Sequence, residues 1–166
     1  MIERGILSRE GFELHRPRPG AILSVAKESG VSDPASLERI AAMDANNANT
    51  WRERGYGVWL LIDSTSKLAL GCCGLRPGDT PLHPELMYAL TASARGKGFA
   101  ARAAQAAIEC AFGIPAIQSV WACTDSDHVA SIAVMERAGM LFERQDSVYG
   151  ALRVIYRIWR SQPTSP

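Results

Sequence analysis

The sequence lacks the features that mark several common kinds of site. Its four cysteines, Cys72, Cys73, Cys110 and Cys123, form no C-x-x-C pair, and its three histidines are scattered. This spacing argues against a structural zinc site. No G-x-x-x-x-G-K-[ST] sequence occurs, which disfavours a P-loop nucleotide enzyme. The net charge is only +1, so no long-range field favours nucleic acid or an anionic membrane.

The sequence also has no apolar run of about 18 residues, the length that a membrane span needs. The first five residues lack the apolar stretch of a signal peptide. Unpaired thiols are typical of a reducing compartment, so we expect a cytoplasmic protein. The 166 residues are 47% hydrophobic and 21% charged, which is ordinary for a globular protein. We expect one domain over residues 1–160 and a short disordered tail over 161–166.

Hydrophobic periodicity and turn residues predict an α/β (α+β) domain with a mixed sheet. Asp33 and Pro34 predict the start of a helix, and the Asn-rich run 46–50 predicts its end or a loop. Asp127 is the predicted N-cap of a later helix and Gly139 its left-handed end. The predicted strands are 11–18, 56–62, 67–75, 85–90, 118–124, 142–148 and 152–159, with a loop over 76–81 and helices over 21–29, from 34, 95–112 and 128–138.

The segment 95–100 is the most informative stretch of the chain. It lies between the predicted strand 85–90 and an alanine-rich helix. The first amides of a helix have no intrahelical partners, and the helix dipole adds positive charge there. Gly96 and Gly98 let the backbone approach a bulky polyanion, while Arg95 and Lys97 add formal charge. We therefore predict a site for a phosphorylated small molecule, and a pyrophosphate suits it well.

The same segment carries a resemblance to a known family. Arg95-x-x-Gly98-x-Ala100 resembles the Q/R-x-x-G-x-G/A signature of the GCN5-related N-acetyltransferases (GNAT). A second segment agrees in register at Ser131, at Glu136-Arg137 and at Gly139. It departs where His128 replaces the usual Asn and Met140 the usual Phe. Ser131, with Met135 where many relatives have tyrosine, is most similar to the RimJ/RimL-type branch. The resemblance covers roughly residues 56–159.

The resemblance implies a mostly antiparallel sheet of about seven strands flanked by about four helices. It implies an acetyl-CoA-dependent N-acetyltransferase that needs no metal. The acceptor would be a primary amine, either a protein N-terminus or a small molecule. The residues implied to bind the cofactor are Leu90, through a nearby backbone amide at the thioester carbonyl, then Arg95, Gly96, Lys97, Gly98, Phe99 and Ala100 at the pyrophosphate, His128 at the pantetheine arm and Ser131 at the sulfur.

An ammonium ion must lose a proton before the amine can attack a thioester, so such an enzyme is expected to have a general base. Glu85, at the start of a central strand, is the first candidate, and His83 is the second because of its intrinsic pKa. Trp51 is the aromatic residue expected to touch the acceptor, together with Glu85, whereas Trp59 and Trp121 are expected in the core. The exposed final hairpin could support a homodimer. A non-catalytic acyl-CoA-binding domain remains the alternative.

Overall fold

Eight strands form one sheet in the computed structural model, which describes residues 6–161. The strands are β1 (Ile6–Arg9), β2 (Phe12–His15), β3 (Val58–Asp63), β4 (Ala69–Thr80), β5 (His83–Leu90), β6 (Ser119–Thr124), β7 (Leu141–Val148) and β8 (Ala151–Trp159). The helices are α1 (Ala21–Glu28), α2 (Pro34–Arg54), α3 (Phe99–Phe112) and α4 (Val129–Arg137), with a single 3-10 turn over Ala92–Ala94. The order across the sheet is β1-β2-β3-β4-β5-β6-β8-β7. The predicted fold class is confirmed, with eight strands where about seven were expected.

The start of α2 agrees with the sequence, but its end does not. The Asp33 side chain accepts a hydrogen bond from the Ser36 amide at 2.8 Å, and Pro34 occupies the first helical position. The prediction that residues 46–50 end the helix is wrong, because α2 continues to Arg54. Asn47 explains the difference. Its buried side-chain amide bonds both the N–H and the C=O of Val58 at 2.9 Å, so tertiary pairing to β3 outweighs weak helix propensity.

Three other predicted elements need correction. The expected strand 11–18 is shorter, since β2 covers only residues 12–15, and it pairs across a turn at Gly11 with β1, which the sequence did not predict. Residues 76–80 of the expected loop 76–81 belong to β4, whose pairing with β5 resumes at Thr80 and His83 after an irregularity. The expected cap Asp127 is replaced by His128, which stands at the N-cap of α4 without a side-chain capping bond. The final hairpin and the left-handed Gly139, at φ +88°, are confirmed.

The period-two alternation of the strands divides the core between the two faces of the sheet. Along β5, Leu86, Tyr88 and Leu90 pack with the α3 and α4 cluster, whereas Met87 and Ala89 pack with the α1 cluster. The buried residues of α3 are seven alanines, at 100, 101, 103, 104, 106, 107 and 111, and Ile108. Side chains this short let the helix lie close to β4, β5 and β6. This packing holds the central strands where the site forms.

The sheet opens between β5 and β6. These two strands are its parallel pair, and their ladder contains one pair of partners, Glu85 and Trp121. Every other neighbouring pair of strands has four or more partners in register. Beyond Glu85 and Trp121 the two strands therefore run without pairing to each other, which leaves a gap through the sheet.

Two further sequence expectations concern a membrane span and the C-terminal tail. No helix within residues 6–161 combines the length and apolar character of a membrane span. The expected disordered tail falls, apart from Ser161, outside the described residues.

Candidate functional site

A cleft of about 530 Å³ occupies the gap between β5 and β6. Its walls are Glu85 to Leu90 on β5 and Ala122 to Thr124 on β6. It extends to Arg95 and Ala100 near the start of α3, and to His128, Ala130, Ser131 and Val134 on α4. This volume lies within the range of small-molecule sites. Because the cleft passes between two strands, groups on both faces of the sheet can reach it.

The loop before α3 has the geometry of an anion cradle. Gly96 and Gly98 have φ values of +73° and +74°, in the left-handed region that favours glycine. An ideal Cβ at either position would meet nothing within 4 Å, so the space above the loop is open. Gly98 is the N-cap of α3 and makes no side-chain cap, which leaves the first amides of the helix available. These features fit a diphosphate ligand.

Arg95 and Phe99 have contacts that the sequence did not predict. Arg95 lines the cleft, and its Nη2 donates a 2.6 Å hydrogen bond to the carbonyl of Ser29 after α1. The arginine therefore ties the loop to the opposite face of the sheet. The ring of Phe99 packs edge-on against Phe12, with centroids 5.9 Å apart. Only the backbone of Phe99 is left for a phosphate, while Lys97 is exposed.

Tyr88 is a site residue that sequence reasoning missed. Its hydroxyl lies 2.8 Å from Ser131 Oγ and 3.0 Å from the Ser131 carbonyl, and both residues line the cleft. Burial raises the pKa of Tyr88 to about 12, against a lowering by its bond to Ser131. Met135, one turn along α4, is fully buried. The alternation Leu86, Tyr88, Leu90 was the available signal, since it puts the tyrosine on the face that α3 and α4 cover.

Glu85 lies on the other face and is fully engaged. Its carboxylate accepts hydrogen bonds from Arg76 Nε at 2.9 Å and Nη2 at 2.7 Å, and from the Tyr149 hydroxyl at 2.5 Å. Its side chain is 3% exposed. Burial lowers the pKa of Arg76, but the hydrogen bonds and charge of Glu85 outweigh burial and raise it. Burial and the bond to Glu85 both raise the pKa of Tyr149.

Tyr149 lies beside Glu85, next to this end of the cleft. It stands in the turn between β7 and β8 with φ +53°, an uncommon conformation for a non-glycine residue. The guanidinium carbons of Arg76 and of Arg39 on α2 lie 4.9 Å and 5.4 Å from its ring centroid. These cation–π contacts join α2 to the turn across the sheet. Nothing local in the sequence pointed to this cluster, because its members come from four distant segments.

Two predicted residues lie away from the cleft. Trp51, the residue expected to touch the acceptor, is 7% exposed and packs against Trp59 with ring centroids 4.6 Å apart, so it lies in the core and not along the cleft. Trp59 and Trp121 are buried as expected. His83 does not line the cleft; its Nδ1 lies 2.8 Å from the buried Ser119 Oγ. Arg157 Nη1 donates to that same oxygen at 2.8 Å.

The remaining predicted residues lie along the cleft. Leu90 lines it and pairs with Gly71 of β4. His128 lies at the start of α4, with Nδ1 3.1 Å from Thr124 Oγ1. Cys123 lies 3.8 Å from Glu85 Oε1, and burial together with the Glu85 charge raises its pKa to about 11. Among residues 6–161 no group of three or more metal-ligating side chains is close enough to hold a metal ion.

Comparisons with known proteins agree with this geometry. The family model described as "Acetyltransferase (GNAT) domain" matches residues 24–141. The chain is 31% identical over 102 residues to the uncharacterized protein YkkB of Bacillus subtilis (strain 168), and the match covers 59% of each chain.

Solved structures show the same fold. An acetyltransferase from Agrobacterium tumefaciens str. C58 superposes with a TM-score of 0.77 at 21% identity, covering 96% of this chain and 97% of that one. RimL, a ribosomal L7/L12 alpha-N-protein acetyltransferase in complex with coenzyme A, gives a TM-score of 0.70 at 16% identity, with coverage of 93% and 97%.

Proposed function

Because the chain belongs to the GNAT acetyltransferase family, we propose that it transfers an acetyl group from acetyl-CoA directly to a primary amine. The observation that carries this proposal is the gap between β5 and β6, with an anion cradle at one end and polar groups reaching it from both faces. A thioester that entered from the α3 and α4 face would meet an amine arriving from the α1 and α2 face.

The residues that would hold the cofactor follow from the site. The amides of the loop and of the first turn of α3 bind the diphosphate, with Lys97 adding charge. Leu90 and the neighbouring β5 backbone line the path of the pantetheine arm, and His128 and Thr124 border it. When bound, acetyl-CoA supplies an activated acetyl thioester. An amide donor near Leu90 stabilises negative charge on the carbonyl oxygen, an effect of about 3–4 kcal/mol in enzymes where a single donor was removed.

On the acceptor face, Glu85 orients the amine. The Glu85 carboxylate already accepts hydrogen bonds from Arg76, from Tyr149 and, at 3.8 Å, from the Cys123 thiol, so it can accept the amine proton only when one of these donors moves away, or through a water. The C–N bond forms as the C–S bond breaks, and the amine proton leaves toward Glu85.

On the opposite face, Ser131 Oγ donates to the leaving sulfur when the single Tyr88 hydroxyl proton turns from the Ser131 carbonyl to Ser131 Oγ. A tyrosine with a pKa near 12 is too weak an acid to protonate a thiolate fully, so the pair stabilises it by hydrogen bonding. The pair thereby supplies what a tyrosine at position 135 would supply.

Within the family, we place the chain in the RimJ/RimL-type branch. Ser131 on α4 and the absence of tyrosine at Met135 support this placement.

A second copy of the chain is the partner that the β7–β8 hairpin fits. Strand β7 is an edge strand with Leu141 76% and Phe142 57% exposed. Antiparallel pairing of two β7 strands about Gln145 would set Arg144 opposite the partner's Asp146, so the edge is complementary to itself. Light scattering should give a dimer mass, and Phe142→Lys should reduce it to a monomer. Leu68→Lys, at a residue 69% exposed elsewhere, is the control and should stay dimeric.

Thiol release from acetyl-CoA, measured over a panel of amines and peptides, tests the proposed activity. Release that depends on an amine supports direct transfer. Tight coenzyme A binding with no release over the whole panel would instead identify a non-catalytic acyl-CoA-binding domain.

A further inference from the structure

The acceptor end of the cleft carries a cation whose hydrogen-bonding capacity is not used. Among the described residues that line the cleft, Arg76, Arg95 and Arg153 are basic and Glu85 is the acid. Arg76 is neutralised by two hydrogen bonds to Glu85, and Arg95 is bonded to the Ser29 carbonyl near the phosphate loop. Arg153 is the remaining arginine, and it differs from the other two because its buried Nε has no hydrogen-bond partner in the described part of the chain.

Arg153 Nε is buried and has no hydrogen-bond partner among the described residues. Arg153 Nε forms an ion pair with Asp125 Oδ1 at 3.5 Å, outside hydrogen-bonding geometry, and the Asp125 side chain is 59% exposed. A buried charged donor without a partner is costly, so native proteins rarely keep one without a ligand or water. Arg153 itself is 26% exposed and can therefore be reached from the cleft.

The position of Arg153 relates it to the acceptor rather than to the cofactor. It follows Leu152 on β8 and lies beside Cys123. Burial and the Glu85 charge raise the pKa of that thiol, and the hydrogen bond and charge of Arg153 lower it by less. Cys123 lies 3.8 Å from Glu85, on the face opposite Ala122, which packs with α3 and α4. Arg153 thus belongs to the face that carries Glu85, Arg76 and Tyr149.

A simple amine is a poor match for this end of the cleft. Amines arrive as ammonium ions, and Arg76 already neutralises Glu85 there, while Arg153 has only the largely exposed Asp125 as its counter-charge. A second cationic group on the acceptor, as in a polyamine, would add repulsion. A carboxylate on the acceptor would instead occupy the free donors of Arg153 in the bidentate manner that guanidinium groups favour.

We propose that the acceptor is a small amine that also bears a carboxylate, as in a free amino acid, with Glu85 holding the amine and Arg153 the carboxylate. This inference rests on the proposed acetyl transfer. The Tyr149 side chain is held to Glu85 and flanked by Arg39 and Arg76 next to the cleft. Its bulk favours a small acceptor over the N-terminus of a folded protein.

The test compares matched acceptors in wild type and variants. The acceptors are free amino acids and their α-carboxamides, with spermidine and short peptides as further arms, and rates are expressed per free-base amine. We expect wild type to favour the carboxylate over the amide by at least tenfold in kcat/KM, the scale of a charge-assisted hydrogen bond. Arg153→Gln should remove that preference by raising the KM of the free amino acid but not that of its carboxamide. Arg153→Lys should restore part of the preference.

Arg137→Gln is the matched control, because Arg137 is exposed in the last turn of α4. It should keep the wild-type preference. Melting temperature and acetyl-CoA affinity show whether each variant is folded. Equal rates for acids and amides in wild type, equal losses for both in Arg153→Gln, or a peptide or spermidine that outperforms every amino acid would each overturn the carboxylate subsite while leaving acetyl transfer intact. Absence of thiol release with every amine would overturn both.

Discussion

Substitution of Gly98 separates the charge of the phosphate cradle from its backbone conformation. Gly98 has φ +74° and open space where a Cβ would stand. Asn and Asp tolerate this conformation better than other residues with side chains, so Gly98→Asn and Gly98→Asp should fold with similar stability. They differ by one negative charge. At roughly 5 Å from a phosphate and an effective dielectric constant of about 40–80, that charge costs about 1–2 kcal/mol per phosphate charge.

Two phosphate charges therefore predict that Asp binds coenzyme A about thirtyfold or more weakly than Asn. Isothermal titration at low salt measures the ratio, which should shrink as added salt screens the charge. Gly20→Asp is the control, because Gly20 is also a left-handed N-cap, at φ +86° on α1, with an equally open Cβ position. Equal affinities for Gly98→Asn and Gly98→Asp, or an equal loss in Gly20→Asp, would refute an anion site at the start of α3.

Other predictions concern catalysis and stability. Glu85→Gln should lower turnover with little change in coenzyme A affinity and should cost about 1.5–3 kcal/mol of unfolding free energy, because Arg76 loses its counter-charge; full activity would remove Glu85 from the mechanism. Tyr88→Phe should lower kcat while the KM of acetyl-CoA stays constant, and an unchanged kcat would exclude Tyr88. Burial raises the pKa of Cys72 from about 9 to about 12, so the thiol stays protonated in the folded state at a pH where it ionises in the unfolded state. Its contribution to the free energy of unfolding is therefore complete below pH 9 and is lost as the pH rises toward 12. Between pH 9 and 10.5 the free energy of unfolding should fall by about 2 kcal/mol for this reason. Cys72→Ala should flatten that part of the stability profile measured by urea unfolding, and an identical slope would contradict the assignment.

Local signals predicted much of the fold and one half of the site. The strand before residue 95, the two glycines and the alanine-rich helix are contiguous, so the anion cradle could be found from spacing alone. Asp33, Pro34 and Gly139 marked helix ends for the same reason, since caps depend on neighbours in the chain. Leu90, His128 and Ser131 line the cleft, as the resemblance implied.

Long-range contacts account for what the sequence did not predict. Asn47 extends α2 by bonding Val58 eleven residues away, and Tyr88 meets Ser131 across 43 residues. Tyr149 reaches Glu85 across 64 residues. Such pairs leave no periodic trace in the sequence, and Trp51 shows the reverse case, in which a plausible substrate contact is part of the core.

The alanine face of α3 acts as a spacer for the active site. This helix contacts β4, β5 and β6, so we expect the distance between its axis and the sheet to affect the separation of β5 and β6. Adding methyl groups at Ala103 or Ala107, both fully buried, would push on that contact without touching any ligand. We therefore expect the buried alanines of α3 to influence the length of acyl chain that the cleft admits, and selection for longer acyl donors should enrich changes on this helix.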